Sequence, residues 1–322
     1  MLLNLRPTAS IVAATALGFA AAMTTLPAQH NGSPGSSAKD TDGISDYGVC
    51  RGVDPECYHD WGNNFARDGV SRILIYTQTG GFRHGHLGSP LGPGLNPALQ
   101  PDNLAQAGLI GWADEADIQA DWTEDQTVLT STGNLLRRYD AVVFLSTNSE
   151  VVNDAAQIGL MKYIRGGGGF VGIHNAFGTE YHWKWYEGLL GGANFYDHGP
   201  HRDGVVETVN TADASTAGLP ERWDFRDEWY NLEPFPSHVR FLAEVDESTL
   251  STTRGSLGHP GYGDEHPVSW CHYYDGGRAW LTTLGHDNAA WSDTELMGDT
   301  YFKQHVIGGV KSVVGVEPFC QK

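Results

Sequence analysis

Residues 166–183 read GGGGFVGIHNAFGTEYHW, and their pattern decides the fold. The glycines Gly166 to Gly169 end any preceding helix, because glycine loses the most backbone freedom on being ordered. Phe170 to Ile173 then form a short apolar run, which stops at His174 among small and polar residues. A run of that length between glycines and a polar turn predicts a strand buried on both faces, as in a parallel sheet. Open α/β sheets bind their ligands at the carboxyl ends of such strands. The imidazole of His174 is therefore expected at the edge of the sheet that carries chemistry.

Outward from this point the pattern alternates. Asn153 to Arg165 sets Ile158, Leu160, Met161 and Ile164 at helical spacing behind an Asn suited to cap the helix. Arg137–Thr147 (RRYDAVVFLST) predicts the strand before it, Ala116–Thr123 a weaker strand, and Pro101–Trp112 a helix. Ser71–Thr77 (SRILIYT) predicts a first strand running into the glycine-rich turn TGGFRHGH. Strands alternating with helices imply a mostly parallel sheet covered on both faces. Beyond Tyr196, the segments DGVVETVN, VRFLAEVD, HPVSWCHYY and RAWLTTLGHD read as strands joined by turns, with a hairpin turn at Asp275–Gly277. They either extend the sheet or form an antiparallel platform beside it. A final helix is expected from Glu295 to Val313.

The N-terminus is read separately. Residues 1–28 hold one cation, Arg6, an alanine-rich apolar run from Ile11 to Ala22, and small residues suited to cleavage at Ala22 or Ala28. This is the pattern of a secretory signal peptide, and the run is too short to span a bilayer. Residues 29–46 are poor in apolar side chains and are expected to be a flexible leader. Residues 47–322 are expected to form a single domain with a short N-terminal extension, secreted to the extracellular side. The formal charge is −19, and removal of Arg6 would make it −19 − 1 = −20. Such acidity argues against nucleic acid or an anionic membrane as partner. Cys50, Cys57, Cys271 and Cys320 lack the paired CxxC spacing of a structural zinc site, and export favours disulfides. Three pairings are open; Cys50–Cys57 with Cys271–Cys320 would close a small loop and tie a central strand to the C-terminus.

The series TQTGGFRH, GGGGFVGIHNAF, LLGGANFYDHGP, RDEWYNL and HPVSWCHYYDGGRAWLTTLGHDNAAWSD, between Ser71 and Gly315, resembles the ThuA-like (trehalose utilisation) family. The resemblance implies a class I glutamine amidotransferase-like, flavodoxin-type α/β fold and a connection with sugar metabolism. In amidotransferases of that fold the turn after the corresponding strand carries a nucleophilic cysteine. Here His174 stands in that place, so glutamine hydrolysis does not carry over.

Four histidines have strand-end or loop addresses that would let them converge: His84 after the first strand, His174, His198 in YDHGPH, and His286 in LGHDNAAW. Imidazole serves as base, acid or metal ligand near neutral pH. The resemblance points to Glu228 in RDEWY as the carboxyl of the site and leaves Asp227 structural; burial of Glu228 against aromatic rings would raise its pKa. His174, Glu228, His198 and His286 are thus the candidate catalytic residues and also the candidate metal ligands, for zinc or a similar divalent ion. The HGH at His84–His86 is a weak metal motif, and His201 is expected to face solvent. Among ten Trp, thirteen Tyr and twelve Phe, Trp183, Trp229, Tyr230 and Trp291 are the candidate sugar platforms. His84 and Asp287 join them as candidate substrate-binding groups. The expected function is acid/base chemistry on a carbohydrate, with or without a metal, by hydrolysis, elimination or isomerisation, with His174 as principal base. Two other classes stay open: a non-catalytic extracellular carbohydrate-binding module, and a metal-dependent hydrolase of a non-sugar ester or amide.

Overall fold

The computed structural model describes residues 48–60, 68–130, 135, 138–292 and 299–322. All of them belong to one unit, Ser36–Lys322. The expected signal peptide and leader lie outside the described residues.

The elements run β1 (Arg51–Gly52), β2 (Ser71–Tyr76), α1 (Leu104–Glu115), β3 (Ile118–Thr123), α2 (Thr127–Thr130), β4 (Ala141–Leu145), α3 (Asp154–Arg165), β5 (Gly169–Ile173) and α4 (Lys184–Leu189). There follow β6 (Phe195–His198), β7 (Arg202–Thr208), β8 (Arg222–Asp227), β9 (Tyr230–Leu232), β10 (Arg240–Val245), β11 (Pro267–Tyr274), β12 (Gly277–Thr282) and α5 (Asp299–Val314). The main sheet has the order β3-β2-β4-β5-β12-β11-β10-β7-β8, with β1 paired to β11. Neighbours from β3 through to β12 are parallel, in the flavodoxin-like order 2-1-3-4-5. From β12 outward through β11, β10, β7 and β8 the pairs are antiparallel. The later strands therefore extend the sheet, while β6 and β9 pair as a separate ribbon.

The parallel strands are apolar throughout because both faces are covered. Successive side chains alternate between two cores: Ile73, Ile75, Val143, Val171 and Ile173 join the face under α1 and α5, whereas Leu74, Tyr76, Val142, Phe144 and Phe170 join the face under α3 and α4. Helix α3 starts where the sequence places its cap, with Asn153 accepting from the Ala156 amide. Disulfides Cys50–Cys57 and Cys271–Cys320 both form. No helix among the described residues is long and apolar enough to cross a membrane.

Candidate functional site

Three strand ends and one short connection meet above the parallel half. His84 caps the 3-10 turn Gly85–Leu87 in the loop after β2. His174 follows β5 directly and takes a left-handed conformation, φ 52°. His286 follows β12 after Gly285, and Glu228 lies in the two-residue link between β8 and β9. Asp227, at the end of β8, joins this link to the turn after β12: its carboxyl accepts from the Gly285 amide at 2.6 Å, the His286 amide at 3.3 Å and the Glu228 amide at 2.7 Å.

One donor atom each from His84, His174, His286 and Glu228 falls within 4.8 Å of the others. The proton positions follow from the partners. His174 Nδ1 is 2.8 Å from the Thr283 carbonyl, which can only accept, so Nδ1 carries the hydrogen and Nε2 the lone pair. That lone pair lies 3.0 Å from His84 Nε2 and 3.0 Å from the Tyr230 hydroxyl. His84 Nδ1 is buried without a partner. His286 Nδ1 approaches Glu228 Oε2 at 3.0 Å but off the direction of a good hydrogen bond, so the two form an ion pair only.

Burial sets the charge states. It depresses the His174 pKa well below the usual imidazole value, helped by repulsion from His84, His286 and His86. Burial likewise lowers His84 to about 3. Both rings are therefore neutral at pH 7 and have lone pairs to offer. Burial lowers His286 too, yet the pairing with Glu228 and the charges of Asp227 and Asp287 leave its pKa raised. For Glu228 burial acts upward, but His286, His198 and His84 reverse it and the pKa is lowered. Asp227, wholly buried, is raised by burial to about 7, against the hydrogen bond from Gly285 and the charge of His286. The two adjacent carboxyls thus exchange the properties expected from sequence: Asp227 has the raised pKa, and Glu228 is the anion. Nitrogen donors with one carboxylate suit zinc and similar ions, and a histidine whose far nitrogen donates to a carbonyl is oriented for ligation.

The trehalose utilisation (ThuA) family profile matches residues 72–311. The chain belongs to the ThuA family. That membership connects it with sugar utilisation. It is similar in structure to a ThuA-like protein from Bacteroides uniformis, with 20% identity and a TM-score of 0.58 over 79% of this chain and 96% of the other. A ThuA-like protein from Parabacteroides merdae is similar at 16% identity and a TM-score of 0.56, over 78% and 92% of the two chains. These likenesses show the fold. No curated protein matches the chain significantly.

In this ThuA-family chain the other expected residues take varied places. His198, at the end of β6, stands outside the group of donor atoms; its Nε2 is 3.6 Å from Glu228 Oε2 and its Nδ1 donates to the Gly199 carbonyl at 2.6 Å. The fourth donor is His84 instead, which the sequence had suggested for substrate binding. Trp229 and Trp291 are core residues and present no face to a sugar. Trp229 packs over Gly204, and Trp291 stacks on Trp112 at 5.4 Å while its indole donates to the Gly285 carbonyl. Trp183 stacks on Trp185 and Tyr186. Tyr230 is buried with its hydroxyl at His174. Asp287 sits at the rim, 3.3 Å from His201, whose ring lies 4.7 Å from that of His286. His201 is thus part of the rim and not merely solvent-facing. The sequence had left Asp227 as structural and the HGH of His84–His86 as a weak metal motif, and it gave no role to Phe82, which is 65% exposed with its ring 4.8 Å from that of His84. A glycine-rich turn two residues before a strand-end histidine was the only signal for Phe82.

Proposed function

We propose that this chain is a metal-dependent carbohydrate-active enzyme and that His84, His174, His286 and Glu228 hold its divalent ion. The observation that carries the reading is the convergence of four donor atoms within 4.8 Å, two of them on imidazoles that burial keeps neutral. A divalent ion there would supply Lewis acidity to a sugar oxygen. The low pKa of His174 supports a ligand and not the principal base. Tyr230 keeps its proton, because burial and the nearby carboxylates raise its pKa far above 10, and its hydroxyl is placed to donate to a substrate oxygen beside His174. His198, with 30% of its side chain exposed and Nε2 turned to Glu228, is the better placed group to exchange protons with substrate. The sugar assignment rests on the family. The burial of Trp229 and Trp291 weighs against a binding module built on aromatic platforms, and leaves Phe82, exposed and with its ring 4.8 Å from that of His84, as an aromatic beside the donors. The two disulfides agree with an oxidising compartment, as export requires.

The test is turnover of a panel of disaccharides, trehalose included, and of aryl glycosides, measured before and after chelation and after return of Zn²⁺, Mn²⁺ or Co²⁺. Activity should vanish on chelation and return with one of these ions. Turnover that survives complete metal removal would refute the reading.

A further inference from the structure

His86 is the part of the HGH motif that ligation does not use. Its Nδ1 lies 2.9 Å from the His286 carbonyl and must donate; its Nε2, 2.8 Å from Ser146 Oγ, then accepts from that hydroxyl. Both nitrogens are occupied, so the ring cannot be a ligand. It is nevertheless wholly buried directly behind the donors. Its ring stacks on that of His84 with centroids 5.2 Å apart and meets that of His174 edge-on at 5.9 Å. Ser146 follows β4 and is itself left-handed, φ 47°. The two hydrogen bonds thus tie the loop after β2 to the end of β4 and to the turn after β12, segments 60 and 200 residues away in the chain. Gly85 permits the close passage, since a Cβ there would come 3.3 Å from Asn288 Oδ1.

We infer that His86 is a positioning residue: it sets the separation of His84 and His286 and so the geometry in which the four donors meet an ion. The inference rests on the metal reading above. Groups behind metal ligands that fix their orientation are worth about 10- to 100-fold in metal affinity.

The test is Co²⁺ titration of the metal-stripped full chain, read by visible absorption, for wild type, His86→Gln, Ser146→Ala and, as control, His305→Gln. His305 is as buried but bonds the Ser215 carbonyl from α5. His86→Gln should weaken Co²⁺ binding by about 10- to 100-fold and shift its absorption bands. Ser146→Ala should weaken it less, because Nδ1 still holds His286, and His305→Gln should change neither readout. A His86→Gln protein that melts lower but binds Co²⁺ with wild-type affinity and bands would reduce His86 to a packing residue and overturn the inference. Should His86→Gln fail to fold, unchanged binding in Ser146→Ala overturns it. Wild type that takes up no Co²⁺ sinks the metal reading itself, and this inference falls with it.

Discussion

At the amino ends of β5 and β12, the Asp275 carboxylate accepts from Arg165 at 3.0 and 2.7 Å and from the Trp185 indole at 2.9 Å. At the carboxyl ends of the same strands, His84 Nδ1 is buried with no hydrogen bond, and His286 Nδ1 meets Glu228 Oε2 at 3.0 Å in an ion pair. Both ends also hold non-glycine residues in the left-handed region. Asp275, φ 47°, and Gly276, φ 95°, are the central pair of a hairpin turn that demands it. His174 and Ser146 sit in no hairpin, and a strained backbone at a strand end costs on the order of 1–3 kcal/mol. A buried polar atom left unpaired costs a similar amount. The Asp275 carboxylate is saturated by its own neighbours, although Arg278 Nε close by has no hydrogen bond, whereas the carboxyl ends gather three imidazoles and a carboxylate around one point.

The comparison breaks or holds under the same carboxyl-to-amide change at each end. Glu228→Gln removes the anionic donor and should weaken Zn²⁺ binding by more than the 10- to 100-fold typical of groups behind ligands. Its metal-free stability should change by less than about 1 kcal/mol, since Glu228 is partly exposed. Asp275→Asn should leave metal affinity alone and lower stability by about 1–3 kcal/mol, because the amide loses the charge and one of the two oxygens that accept from Arg165 and Trp185, and turns a donor toward them instead. Calorimetric titration and denaturant melts of both variants check this; a metal defect in Asp275→Asn would erase the distinction.

A smaller effect sharpens it. In the metal-free protein His84 and His86 have pKa values of about 3, against 6.5 in the unfolded chain, with burial as the main cause. The unfolded chain therefore takes up protons below pH 6.5 that the folded one refuses. Their stabilising contribution is full above pH 6.5 and is lost as pH falls to 3. Asp227 opposes them: raised from 3.8 to about 7, it stabilises below pH 4 and loses that contribution as pH rises to 7. Denaturant melts of the metal-free protein between pH 4 and 7 should show stability falling toward acid, and Asp227→Asn should steepen the fall. Each pH unit of resistance is worth about 1.4 kcal/mol per group. An unchanged slope in Asp227→Asn would show that its carboxyl titrates normally.

The strands and helices around His174 were legible because each is a run with one dominant period: Ser71–Tyr76, Ala141–Leu145 and Gly169–Ile173 are doubly buried, and α3 carries its Asn153 cap. Strand β8 was missed because its outward residues are all charged, Arg222, Asp224 and Arg226, so that RWDFRD reads as polar. Among the candidate site residues, strand-end position was the signal for His84, His174 and His286, whose nitrogens the structure brings together with a Glu228 oxygen. What position could not give was the ranking of His84 over His198, or of Asp227 against Glu228. Those depend on which neighbours from β8, β9 and β12 crowd each group, and no local pattern in the chain records that. The aromatics failed for a related reason: Trp229 and Trp291 flank the polar motifs in sequence because they support those turns from within.

The most direct measurement is the metal content of untagged protein purified without chelator or added ions, by mass spectrometry of the elements, alongside Glu228→Gln. The expected result is a single divalent ion per wild-type chain and a large deficit in the variant. Wild-type protein that carries no metal as purified, and binds none of Zn²⁺, Co²⁺ or Mn²⁺ on titration, would contradict the reading of this strand edge as a metal centre.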